Sequence, residues 1–177
     1  MSVVVASLSE FDDFFAFFNL KPQFKIDRQE LESSYLTVQK AVHPDLYATG
    51  SESEKRISMQ LATFANGAYR TLKDPISRGL YICGKNGIDP QLETNTSMPA
   101  EFLMQQMEWR ETLDDVKGQT LRLDSLYADV EKTFQNILLE IEKAIDQDKN
   151  YSLAAEKLRA LLFVDKFRTE LEEVIVA

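Results

Sequence analysis

Apolar and polar positions recur along most of this chain with a helical period. After Asp27, the residues Leu31, Tyr35, Val38 and Val42 fall at i, i+4, i+7 and i+11, on one face of a helix. Asp27 and Glu30 are spaced to cap its start. Pro44 ends it, because the residue before a proline is pushed away from helical dihedrals. Residues 43–51, HPDLYATGS, form a polar loop, and Ser51 and Glu54 then stand at capping-box spacing. The next stripe is Ile57, Leu61, Phe64, Ala68 and Leu72, so two long helices are predicted to face each other as an antiparallel hairpin with the loop at its tip. Residues 11–18, FDDFFAFF, hold five of the eleven Phe and predict a short buried helix before the hairpin. Asp74-Pro75 reads as an N-cap followed by proline at the first helical position, opening a short helix through Tyr81.

From 84 to 99 the pattern gives way to GKNGIDPQLETNTSMP, which is the domain boundary that the composition suggests. Three further helical patterns follow, at about 99–116, 120–147 and 152–174, broken at Gly118 and around Asp148–Asn150. Short breaks between long helices predict an antiparallel three-helix bundle. The expected fold is therefore all-α, four helices and then three.

Composition narrows the function. With only six Gly and five Pro in 177 residues, turn punctuation is too sparse for an all-β or Rossmann-type fold. The net charge of −9 disfavours binding to a phosphate backbone. Residues 98–177 carry 10 basic and 17 acidic groups, so most of that charge lies in the second half. The single Cys83 cannot form an intramolecular disulfide, and Cys83 and His43 alone cannot make a four-ligand zinc site, which leaves only an all-carboxylate site open. The first cation is Lys21, and no apolar run approaches the ~18 residues a membrane span requires. A soluble, cytoplasmic protein is expected, with no metal or cofactor.

His43-Pro44-Asp45 is the most informative tripeptide. Alone, it is compatible with an ordinary solvated turn. Its setting adds more: it lies at a hairpin tip, behind a Phe-rich helix and ahead of an Asp-Pro-capped one. This arrangement resembles a J domain, the activating module of DnaK-type chaperones. The downstream pattern N-x-A-Y-x-x-L-x-D-P-x-x-R-x-x-Y is met without a gap by Asn66, Ala68, Tyr69, Leu72, Asp74, Pro75, Arg78 and Tyr81. The resemblance covers residues 12–84. It implies that His43, Pro44 and Asp45, with Lys40 beside them, contact a chaperone's ATPase module and promote hydrolysis there. Pro44 pre-organises such a loop, which lowers the entropy lost on docking. A catalytic reading would need His43 as general base with Ser33 or Ser34, but their spacing forms no evident triad.

Two positions depart from the J-domain pattern. The residue after the tripeptide is usually Lys, and here it is Leu46. The preceding helix is usually rich in bases, whereas here Lys40 alone lies near the tip, with Lys25 and Arg28 at the far end and Glu30 and Glu32 between. Electrostatic steering towards an acidic chaperone surface should therefore be weak.

On a wheel of the helix at 99–116, at ~100° per residue, Phe102, Trp109, Leu113 and Val116 cluster within about 60°. Leu103, Met104 and Met107 form a second apolar stripe centred about 150° away, beside Glu111 and Asp115. A helix at a bundle surface needs only one such stripe. The second is either a docking surface or a face over which the first domain packs.

This half resembles the C-terminal domain of the HscB family, the J-type co-chaperones of iron–sulfur cluster assembly. The matching residues are Phe102-Leu103-Met104, Met107-Glu108, Arg110-Glu111 and Leu113-Asp114, then Lys157-Leu158-Arg159, Phe163, Asp165-Lys166 and Leu171-Glu172-Glu173. In that family the first of these helices and a Phe on the last bind the scaffold protein IscU. By position, the resemblance implies scaffold contacts at Leu103, Met104, Met107, Glu108, Glu111, Asp115 and Phe163. Read from its own helix, Phe163 could equally be core, since Leu158, Leu161, Leu162, Val164 and Phe167 surround it in sequence. Some eukaryotic relatives carry paired CxxC motifs for zinc; with one Cys, this chain resembles the bacterial form.

The expected organisation is an N-terminal extension (1–11), a J domain (12–84), a linker (85–98) and a scaffold-binding bundle (99–177), in an L-like arrangement. The expected function is a non-enzymatic co-chaperone that presents an IscU-like scaffold to an HscA-like, DnaK-type chaperone. A general J-domain protein with another client, or a structural adaptor with a relic J domain, is the alternative.

Overall fold

The computed structural model describes residues 13–47, 49–89, 98–116 and 120–176. Among them the fold is all-helical, without a strand. In order come α1 (Phe14–Phe17), α2 (Arg28–Val42), a 3₁₀ turn (Pro44–Tyr47), α3 (Glu52–Lys73), α4 (Pro75–Lys85), α5 (Ala100–Val116), α6 (Thr120–Glu142), a π-helical turn (Lys143–Gln147) and α7 (Tyr151–Val176). Two compact units emerge, Met1–Ile82 and Cys83–Ala177. The division falls inside α4. The expected extension at 1–11, Phe11, Gly118 and most of the expected linker (90–97) lie outside the described residues.

In the first unit, four residues of α1 could not hold a helix alone, since nucleation is unfavourable in so short a segment. Side chains do the work. The Asp13 carboxylate accepts from the Phe15 and Ala16 amides at 2.8 and 3.1 Å. Phe14 stacks on Tyr81 at 4.4 Å and donates its amide to the Tyr81 hydroxyl at 2.9 Å. Phe14 and Phe17 also meet the edge of Phe64, at 5.4 and 4.9 Å. Phe15 and Phe18 are buried, as the Phe-dense sequence predicts.

The hairpin is antiparallel. Tyr35 of α2 stacks on Tyr69 of α3 at 4.1 Å and donates to Asn66 at 2.8 Å, while nearer the tip the Ser58 hydroxyl donates to the Val42 carbonyl at 2.7 Å. Asp27 caps α2, and Ser51 with Glu54 forms the full capping box of α3. Leu61, Ala65, Ala68 and Leu72 are buried on α3, whereas Phe64 is half-buried and turns to α1. The Asp74 carboxylate accepts from the Ser77 amide at 2.7 Å, which starts α4. That helix runs past Tyr81 to Lys85 and closes on Gly87, whose φ of +74° suits a glycine C-cap. Arg78 is buried. It donates to the carbonyls of Phe24 and Leu72 and lies over the Phe24 ring, so it ties the segment before α2 to the hairpin's base.

In the second unit, α6 and α7 run antiparallel with three cross-links in reverse register. Tyr127 donates to Glu172 at 2.8 Å, Arg168 to Glu131 at 3.1 Å, and Lys157 pairs with Glu140 at 2.6 Å. Leu123, Leu126, Val130, Phe134, Ile137 and Ile141 of α6 meet a buried α7 stripe that includes Leu158, Leu161, Val164 and Leu171. The expected single helix at 120–147 instead ends in a π turn, closed by the Asn150 amide on the Ala144 carbonyl at 2.8 Å and by Lys149 at φ +51°. The Asn150 side chain then caps α7.

Candidate functional site

Two groups of the expected residues stand on the surface, one in each unit. The first is the hairpin tip. His43 leaves α2 with φ −58° and ψ 128°, the extended conformation that a following proline imposes. The chain then folds back in the 3₁₀ turn. The Leu46 amide donates to the His43 carbonyl at 3.0 Å, and the Tyr47 hydroxyl donates to the Ala41 carbonyl at 3.2 Å. The first part of the polar loop expected at 43–51 thus forms a turn fastened to the last turn of α2.

Within it, the Asp45 amide donates to Nδ1 of His43 at 3.3 Å, and the Asp45 carboxylate lies 3.6 Å from the same nitrogen. Both side chains are exposed, at 57% and 90%. Lys40 is exposed one turn earlier. On α3, Lys55 is held by Glu52 at 3.0 Å. Ser33 lies about 15 Å back along α2 from His43, at the ~1.5 Å rise of a helix, so the tip presents recognition groups and not a nucleophile–base pair.

Leu36 had no distinguishing signal in the sequence, since it adjoins the core residue Tyr35. In the structure it is nearly half exposed. It shares the stripe of Lys40 and His43, at i, i+4 and i+7.

The second group lies on α5. Trp109, Leu113 and Val116 are buried, with Phe102 half-buried beside them, as the core stripe predicts. Leu103, Met104 and Met107 are exposed at 49%, 62% and 63%, and Glu108, Glu111 and Asp115 are exposed with them. Trp109 stacks on Phe167 of α7 at 5.7 Å, and Arg110 pairs with Glu170 at 3.3 Å, which places α5 alongside α7. Phe163 precedes Phe167 by one turn and is 44% exposed, so it is a surface residue on the α5 side of α7. Leu103, Met107 and Phe163 are thus all surface residues of the second unit. Glu108 lies at the margin: with Gln105, Thr112, Asp129 and Lys132 it lines a polar groove of about 660 Å³ between α5 and α6.

Among the described residues, no cluster of three metal-ligating side chains occurs, and no helix is long and apolar enough to cross a membrane.

Comparison with known proteins agrees with both halves. Residues 98–172 match the family described as the HSCB C-terminal oligomerisation domain. A co-chaperone protein HscB homolog of Bordetella avium is 43% identical over 92% of this chain and 97% of its own length. One from Aromatoleum aromaticum is 38% identical over 93% and 94%. Among solved structures, chaperone HscB from Vibrio cholerae superposes with a TM-score of 0.81 at 33% identity, covering 92% of this chain and 96% of that one. The human co-chaperone HscB gives 0.85 at 27% identity, over 92% and 82%. An all-helical chain with a J-type hairpin and a separate helical bundle, matched in this way over nearly its whole length, is a co-chaperone. It belongs to the HscB family.

Proposed function

We propose that this chain serves iron–sulfur cluster assembly by joining an IscU-like scaffold to an HscA-like, DnaK-type chaperone in the cytoplasm. The scaffold binds the α5 face through Leu103, Met104 and Met107, with Phe163 and the carboxylates Glu108, Glu111 and Asp115 around them. His43, Pro44 and Asp45, with Lys40, engage the chaperone and stimulate its ATPase. The chain performs no catalysis of its own, and any cluster is the scaffold's cargo.

One observation carries this reading: three large apolar side chains stand exposed on α5 while the opposite stripe of the same helix is buried. Apolar groups clustered at a surface and bordered by charge have the composition of a protein interface core and rim. The chaperone end is supported by the exposed His43 and Asp45 on their fastened turn. The test is chaperone ATPase stimulation by His43→Gln. Loss of stimulation at unchanged helix content supports the reading, and full stimulation contradicts it.

A further inference from the structure

We propose that the chaperone-docking face of this chain is apolar, with Leu36 and Leu46 as its specificity-determining contacts, and that it fits a chaperone surface bearing an apolar patch instead of an acidic one. The inference rests on the assignment of the hairpin tip to a DnaK-type chaperone and deepens it by naming the chemistry of the partner's surface.

Leu46 is 63% exposed, yet it does not sit on a loose loop. Its amide is bonded to His43, and the next residue, Tyr47, is anchored to Ala41. A leucine held outward on a hydrogen-bonded turn, next to the exposed His43 and Asp45, is continuous with the surface those two residues present. Leu36 extends the surface along α2, since it lies on the stripe of Lys40 and His43 and about 10 Å before His43 at the helical rise.

Charge on this stripe is close to balanced. Glu32 precedes Leu36 by one turn, Lys40 follows it by one, and the Lys55 ammonium across the hairpin is tied to Glu52. Such a face offers little net field to an acidic partner, whereas two leucines offer apolar area that is gained only when water is removed from it.

The sign of one substitution decides the matter. Stimulation of a purified HscA-like chaperone is measured against concentration of the full chain for wild type, Leu46→Lys, Leu36→Ser/Leu46→Ser and His43→Gln. Both leucine positions are exposed, so folding is checked only by circular dichroism. The proposal predicts that Leu46→Lys raises the half-stimulating concentration, and that the double Ser variant raises it by about tenfold with the maximal rate kept. A lower half-stimulating concentration for Leu46→Lys would show an acidic partner surface and overturn the inference. An unchanged double variant would also overturn it, provided His43→Gln has lost stimulation. If His43→Gln still stimulates, the assignment of the tip itself falls, and the inference with it.

Discussion

The Trp109 indole lies parallel to the Phe167 ring at 5.7 Å, with 10° between their planes. With the buried Leu113 and Val116, that stack marks which side of α5 faces the bundle. With Trp109 turned to α7, the residues a third of a turn or more away, Leu103, Met104 and Met107, face outward. The functional argument for the second unit depends on this orientation.

Removing the three outward side chains should therefore affect binding and not folding. In the variant Leu103→Ala/Met104→Ala/Met107→Ala, calorimetric affinity for an IscU-like scaffold should fall by well over tenfold, since interface anchors cost ~1–2 kcal/mol or more each when truncated. The melting temperature should hold. Buried residues of the same kinds would cost about 2 kcal/mol or more apiece, and a collapsed melting temperature would place the stripe in the core.

Arg78 should behave in the opposite way. Its guanidinium donates to two carbonyls and covers Phe24, so Arg78→Ala takes a buried donor from both Phe24 and Leu72. The expected cost is about 2–4 kcal/mol of stability in the first unit. Amide hydrogen exchange should show faster opening of α2 and α3, while α6 and α7 keep their protection.

Cys83 should be inert. Burial pushes its thiol up to about 11, and the thiol donates to the Tyr151 carbonyl at 3.6 Å. Almost no thiolate is present at pH 8, so reaction with a thiol-specific disulfide reagent should be slow in the folded chain. It should become fast and complete in denaturant. Rapid labelling of the native chain would show that the site opens.

Glu131 should contribute to acid sensitivity. The Gln135 amide and then the Arg168 guanidinium hold its carboxyl below the usual carboxylate value, against an opposing effect of partial burial. A lowered folded value means that the contribution is fully present above the unfolded carboxylate's pKa of ~4.3 and is lost as pH falls through the folded one. Denaturation of wild type and Glu131→Gln should differ most near neutrality and converge towards pH 3. A difference that grows with acidity would contradict this.

Local signals carried much of the fold. Asp27, the Ser51–Glu54 box and Asp74-Pro75 each mark a helix start by chemistry confined to a few neighbouring residues, and each holds in the structure. What depended on distant partners was not legible. Phe64 read as part of the hairpin stripe, but it faces Phe14 and Phe17, which only the docking of α1 could reveal. The short helix opened by Asp74-Pro75 was expected to run through Tyr81, whereas it continues to Lys85 and its positive-φ cap falls at Gly87. The π turn after Glu142 leaves the apolar pattern unbroken and so left no trace. Phe163 was undecidable because apolar residues occur all round its helix; its 44% exposure places it on the surface.

The central claim is that one chain links scaffold and chaperone, and the coupled reaction tests it most directly. Chaperone ATPase is measured with a subsaturating IscU-like scaffold, in the presence of wild type or of the Leu103/Met104/Met107 triple Ala variant. Wild type should raise turnover above the level it produces without scaffold. The triple variant should retain the scaffold-independent stimulation that the hairpin tip provides and lose the scaffold-dependent increase. An undiminished increase with the triple variant would show that the α5 face does not deliver the scaffold, and would contradict the account.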